Sequence, residues 1–291
     1  MFTRWLIFHV ASGQAFFSGA ICLILAVYLS TLKSRRSIKI MRNALVALGG
    51  IFVAISATPL PPWFYFLLLI TSLLWLIGEA CRKYLSLRVI LGLRIAVAAI
   101  GFVAVLWELP YHLSPRVPHL ERPVLGIIGD SVTAGLGDPK VVTWPGIVSD
   151  HHGVKVRDHS RAGAGLASAM RQAKAVSSDE TLVILEIGGN DILGGTPPEE
   201  FEEGLANLLS ALRQPGRVIV MLELPLPPSY NIYGRIQRRL AQQYKTLLVP
   251  KRVLLGILQQ QGATLDSIHL TQEGQQGMAD AVWNILYTAY E

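Results

Sequence analysis

The sequence predicts two structural classes in one chain: an all-α transmembrane domain, then a three-layer αβα domain built on a parallel five-stranded sheet. Three observations carry this. Of the 291 residues, 51% are hydrophobic and only 16% charged, where a soluble chain carries about a quarter charged residues. The longest apolar runs fall before residue 108. From Val124 onward, short strand patterns alternate with helical ones, as expected of a parallel sheet covered by helices on both faces.

The apolar half reads as four spans: Ala15 to Leu32, Ala44 to Thr58, Trp63 to Ile77 and Val89 to Trp107. Crossing about 30 Å of hydrocarbon takes about 20 helical residues. The first and fourth runs meet that length, whereas the second and third are shorter and form a hairpin around Pro59, Pro61 and Pro62. Lys33, Arg35, Arg36, Lys39 and Arg42 follow the first span, and Arg82, Lys83 and Arg88 follow the third. Basic loops of this kind face the cytoplasm. The N-terminus and everything after Trp107 are therefore expected on the extracytoplasmic (periplasmic) side of an inner membrane. The net charge of +6 is concentrated in these loops, which argues against nucleic acid as a partner. Glu79 and Arg94 lie near span ends and Glu108 at the boundary. A transport site usually needs polar groups at mid-depth, so the spans read as an anchor or a partner-docking module.

The expected division is a transmembrane domain over 1–108, a proline-rich linker over 109–123 and a catalytic domain over 124–291. Pro110, Pro115, Pro118 and Pro123 keep the linker extended. Strands are expected at Val124–Ile128, Val154–Asp158, Leu182–Ile187, Val218–Leu222 and Thr246–Val249. Helices are expected near Trp144–His151, Leu166–Val176, Glu199–Arg213, Tyr230–Tyr244 and Val253–Gln260, and from Gln272 to about Tyr287. Arg235, Arg238 and Arg239 read as a solvated helix face, and Trp144 as core. His151 and His152 read as solvent-exposed. Cys22 and Cys81 have neither a disulfide framework nor zinc spacing around them.

In a parallel sheet the ligand lies at the carboxyl ends of the strands, and four short segments fall there. Gly129-Asp130-Ser131 follows the first strand; a serine hydroxyl is a weak nucleophile that needs an adjacent base. Asp266-Ser267-Ile268-His269 precedes the last helix, and one short turn can put that carboxylate against that imidazole. Gly188-Gly189-Asn190-Asp191 closes the third strand, where an Asn amide can serve as an oxyanion donor. Ser160-Arg161-Ala162-Gly163-Ala164-Gly165 opens a helix after the second strand and can offer a glycine N–H. Taken singly, each also reads as an ordinary turn or helix cap.

Together and in this order, the segments resemble the SGNH (GDSL) hydrolase family, whose blocks carry Ser, Gly, Asn and His. Within it the chain is most similar to bacterial thioesterase/lysophospholipase-type esterases, through Leu185-Glu186-Ile187-Gly188-Gly189-Asn190-Asp191 and Leu224-Pro225-Leu226-Pro227-Pro228-Ser229-Tyr230. The resemblance implies a flavodoxin-like domain with Ser131 as nucleophile, His269 as general base and Asp266 as its orienting acid. The oxyanion hole would be the Ser131 N–H, the Gly165 N–H and the Asn190 side chain, with Gly163 as the alternative glycine. The second block departs from the family pattern, with Ser160 where an Asn commonly stands. No metal or cofactor is implied.

The expected function is a membrane-anchored serine esterase acting through an acyl-enzyme, with a lysophospholipid or other acyl lipid favoured as substrate. An O-acetyl esterase of surface or cell-wall polysaccharide is the alternative. A reading of another class makes the spans a transport or docking module and the hydrolase domain its accessory.

Overall fold

The computed structural model describes residues 2–33 and 35–291. Two compact units emerge. One comprises the chain up to His112 together with Leu226–Asn231; the other comprises Leu113–Pro225 and Ile232–Glu291.

The first unit is helical: α1 (Phe2–Ala11), α2 (Gln14–Thr31), α3 (Arg36–Ile55), α4 (Pro62–Ala80) and α5 (Leu87–Glu108), with a 3-10 turn over Leu109–His112. Four helical segments, Gln14–Thr31, Arg36–Ile55, Pro62–Ala80 and Leu87–His112, are long and apolar enough to cross a membrane. α3 begins eight residues before the apolar run read from sequence, because its first two turns carry Arg36, Lys39 and Arg42. The short α1 falls outside all four expected spans.

Small residues let helix backbones approach closely. Here α2 meets α3 at Gly19 and Gly49: a Cβ on Gly19 would stand 2.8 Å from Gly49 O, and one on Gly49 would stand 2.9 Å from Gly19 O. Arg94 is buried, and its guanidinium donates to Glu79 Oε1 at 2.6 Å and to Ser30 O at 2.5 Å. α3 and α4 flank an apolar groove of about 830 Å³ lined by Val46, Val53, Leu68 and Leu76, with Leu23 of α2.

The second unit follows a strand–helix alternation. Its elements are β1 (Leu125–Gly129), α6 (Ser131–Ala134), α7 (Trp144–His152), β2 (Val156–Asp158), α8 (Leu166–Ala173) and β3 (Leu182–Glu186). Then come α9 (Gly189–Leu193), α10 (Pro198–Leu212), β4 (Val218–Leu222), α11 (Asn231–Tyr244), β5 (Leu247–Val249), α12 (Lys251–Leu258) and α13 (Gln272–Leu286). The sheet has the order β2-β1-β3-β4-β5, parallel throughout. β1 and β3 are buried along their whole length, as strands covered on both faces must be. Leu125, Ile127, Leu182 and Ile184 join Trp144, Val282 and Leu286 in one core cluster. The chain leaves β1 toward β2 on one side while β3 lies on the other, so the crevice outside the ends of β1 and β3 is the topological switch point where such sheets bind ligands.

One expectation needs correction. Arg238 belongs to no solvated face: it is 5% exposed, and its Nε donates to the buried Glu223 Oε1 at 2.6 Å. The carboxylate at the end of β4 holds it in, while Arg239 stays at the surface and pairs with Glu202. Removing one partner of a buried ion pair strands the other charge at a cost of about 3–5 kcal/mol. Arg238→Ala is therefore expected to lower the thermal unfolding midpoint of the detergent-solubilised chain by several degrees. An unchanged midpoint would contradict this account of α11.

Candidate active site

Ser131 is the first residue of α6, directly beyond β1, and is 8% exposed. Asp130 caps the helix, its Oδ1 accepting from the Val132 N–H at 2.9 Å. The turn closes only because residue 129 lacks a side chain, since a Cβ there would stand 2.5 Å from Thr133 Oγ1. Strand, glycine and cap together deliver the serine to the carboxyl edge of the sheet.

Asp266 and His269 reach the same edge from far along the sequence. The antiparallel bridge Thr264–Leu270 and the Leu265 N–H to His269 O bond (2.8 Å) close a small loop. Thr271 ends it by capping α13, its hydroxyl accepting from the Gly274 N–H. Inside the loop Ser267 has φ 81°, left-handed backbone that a non-glycine residue seldom adopts. That turn lets Asp266 Oδ1 accept from the backbone N–H of both Ile268 (3.2 Å) and His269 (2.9 Å). Asp266 Oδ2 lies 2.6 Å from His269 Nδ1, and His269 Nε2 lies 3.1 Å from Ser131 Oγ. An N–H on Nδ1 facing the carboxylate leaves Nε2 free to accept the serine proton.

Asn190 lies in α9, beyond β3. Its Nδ2 donates to Ala164 O at 2.9 Å and to Asp130 Oδ2 at 3.3 Å, and two acceptors on one nitrogen leave no ambiguity about which way the amide points. Gly165 is the N-cap of α8 in extended backbone, and a Cβ on it would stand 2.9 Å from Asp191 Oδ1. Gly163 has φ 73° and open space where its Cβ would be. Among the described residues, neither the Ser131 N–H nor the Gly165 N–H has a hydrogen-bond partner within the chain. Among the described residues, the buried hydroxyl of Ser160 has no hydrogen-bond partner.

Sequence reasoning missed the group beneath these residues. Glu186, the last residue of β3, is 2% exposed, and it lies beside Asp130, whose backbone N–H donates to Glu186 O at 3.2 Å. Thr133 Oγ1 donates to Glu186 Oε2 at 3.0 Å. The available signal was a carboxyl ending an otherwise apolar strand. Burial pushes the Asp130 carboxyl up, and burial followed by the neighbouring Asp130 charge pushes Glu186 well above the usual carboxyl range. Asp191 is also raised by burial, although both its oxygens accept from the Leu166 N–H.

A hydroxyl, an imidazole and a carboxylate in one hydrogen-bonded line, beside amide donors at the edge of a parallel sheet, form the arrangement that serine hydrolases use. The chain belongs to the GDSL-like lipase/acylhydrolase family, whose model matches residues 127–276, and is an SGNH-type carboxylic-ester hydrolase. It is 30% identical over 173 residues to "Esterase TesA" of Pseudomonas aeruginosa, a match covering 55% of this chain and 86% of that protein. It is 25% identical over 163 residues to "Thioesterase 1/protease 1/lysophospholipase L1" of Escherichia coli, covering 53% and 78%. The psychrotrophic esterase EstA from Pseudoalteromonas sp. shares the fold at 19% identity, with a TM-score of 0.52 over 56% of this chain and 96% of that one.

The electrostatics of the His269 loop give a pH prediction. The Asp266 carboxyl is lowered to about 2 by the backbone N–H of His269, then by the His269 ring and the Ile268 N–H. A carboxyl depressed in the folded state stabilises its loop above the ordinary carboxyl range, and that contribution is lost only as pH falls toward about 2. Asp266 therefore stays ionised through mild acid, and the acid side of the kcat/KM profile is expected to carry no contribution from this carboxyl. A two-proton slope in that range would contradict this.

Proposed function

We propose that Ser131 is the nucleophile of a membrane-tethered esterase, with His269 as general base and Asp266 as the group that orients it. The observation that carries this reading is the continuous line from Ser131 Oγ to His269 Nε2 (3.1 Å) and from His269 Nδ1 to Asp266 Oδ2 (2.6 Å). Ser131 Oγ attacks the ester carbonyl while its proton passes to His269 Nε2. The charge that develops on the carbonyl oxygen is met by the N–H groups of Ser131 and Gly165 and by Asn190 Nδ2. Of the two bonds Asn190 makes at rest, the longer, to Asp130, is the one an oxyanion would share. His269 then protonates the departing alcohol, and water repeats the sequence to release the acid. Gly165 is favoured over Gly163 by its place at the cap of α8, in the tight space beside Asp191.

The substrate we favour is an acyl lipid, a lysophospholipid among them. Four membrane-length helices would hold residues 1–108 in a bilayer, with 109–123 as linker and 124–291 as the hydrolase domain. The family's description is lipase/acylhydrolase, and one relative carries the name lysophospholipase L1. The apolar groove flanked by α3 and α4 would accept hydrocarbon at bilayer depth. Eight of the basic residues cluster in the two loops that end spans one and three, so the hydrolase domain is assigned to the periplasmic side of the inner membrane.

Two experiments test the reading. Purified full-length chain is expected to hydrolyse nitrophenyl esters with a preference for long acyl chains, and Ser131→Ala to lower kcat by at least about a thousandfold. Activity that survives the substitution ends the mechanism; preference for acetyl esters ends the lipid assignment. A reporter fused after Glu291 is expected to report the periplasm, and a cytoplasmic signal would reverse the orientation.

A further inference from the structure

A pair of carboxyl groups lies buried behind Asn190, and the mechanism above makes no use of it. Asp130 and Glu186 are 4% and 2% exposed, and among the described residues neither forms an ion pair with Lys or Arg. Two carboxyls buried side by side hold one proton between them, because two adjacent negative charges without a cation could not both be removed from water.

Resting on the reading of Asn190 as an oxyanion donor, we propose that Asp130 and Glu186 are positioning residues: a carboxylate and a carboxylic acid holding one proton between them, which aim the Asn190 amide at the reacting carbonyl.

The partners of each group decide where the proton sits. Asp130 accepts from the Val132 N–H through Oδ1 and from Asn190 Nδ2 through Oδ2. Glu186 accepts through its carboxyl from the Thr133 hydroxyl. The negative charge is thus better satisfied on Asp130, and Glu186 donates to it. Of the other titratable groups that act on Asp130, His269 favours its charge and Asp191 opposes it. The strong upward displacement of Glu186 agrees with this placement.

The consequence is geometric. An ionised carboxylate only accepts, so Asp130 and Ala164 O together force the nitrogen of Asn190, rather than its oxygen, toward the sheet edge. An Asp130 that carried the proton would be a donor and would let the amide turn over. The shared proton also keeps the charge behind the oxyanion site at one rather than two. The Asp130 backbone N–H, donating to Glu186 O at 3.2 Å, ties the end of β1 to the end of β3 across the switch point.

The test is a double-mutant cycle in the full-length chain with nitrophenyl ester hydrolysis as readout, joined by two substitutions of Glu186. Asn190→Ala is expected to lower kcat about a hundred- to a thousandfold. Asp130→Asn should lower kcat about a hundredfold with KM within about threefold. The double variant should fall no more than about threefold below the worse single one, because both changes disable one donor. Glu186→Leu should lose at least about tenfold, and Glu186→Gln, whose amide can still donate to Asp130, should recover most of that loss. If D130N does not fold, Asp130→Ser, which keeps an acceptor but no charge, replaces it in the cycle. Multiplicative losses in the double variant, full activity in D130N, or E186Q as poor as E186L would each overturn the proposal. An Asn190→Ala variant with unchanged turnover would instead overturn the oxyanion reading on which it rests.

Discussion

A serine just beyond the first strand and a histidine just before the last helix have to come within hydrogen-bond reach, and the rest of the catalytic unit is arranged around that contact. The distance is 3.1 Å across 138 residues of sequence. Closing so long a loop is entropically costly, and a single hydrogen bond contributes about 1 kcal/mol. The contact is therefore a result of the fold rather than a cause of it. β1 is buried throughout and fixes one end. The Thr264–Leu270 bridge and the capped start of α13 fix the other, and the helix is anchored by Met278, Val282 and Leu286 in the same core as Leu125 and Ile127.

Two electrostatic environments meet at this contact. On the His269 side Asp266 is open to water, with 55% of its side chain exposed, so it fixes the ring's tautomer and direction more than it supplies a desolvated charge. On the opposite side Asp130 and Glu186 lie out of water, where a charge acts strongly and an unpaired one is costly. The proposed mechanism thus uses a solvated carboxylate to orient the histidine and a buried pair with one charge to orient Asn190. Gly129 links the two sides, because the first turn of α6 folds back over β1 only where no Cβ intervenes.

Much of this was legible in the sequence, for reasons that can be named. The central strands read correctly because a strand covered on both faces is a continuous apolar run, as in Leu182 to Leu185. Ser131, Asn190, Asp266 and His269 stood out because each sits in a glycine- or aspartate-rich turn after a strand or before a helix. Ser267's left-handed backbone could not be foreseen, since nothing in a serine favours it. Apolarity misplaced the start of α3, because the helix continues past its apolar run into Arg36, Lys39 and Arg42. Arg238 was misread because three arginines in five residues resemble a wet surface until a buried partner, Glu223, is known. Glu186 was passed over for a similar reason: its partner, Asp130, lies in another motif 56 residues earlier, and pairing across strands is invisible to local patterns.

The central claim, that Ser131 is the activated nucleophile, is tested most directly by covalent capture. The full-length chain treated with a fluorophosphonate should gain the mass of one adduct, carried by the peptide containing Ser131. The gain should slow at least about a hundredfold in His269→Ala, because an unactivated serine hydroxyl reacts poorly. An adduct on another residue, or labelling at an equal rate without His269, would contradict the account.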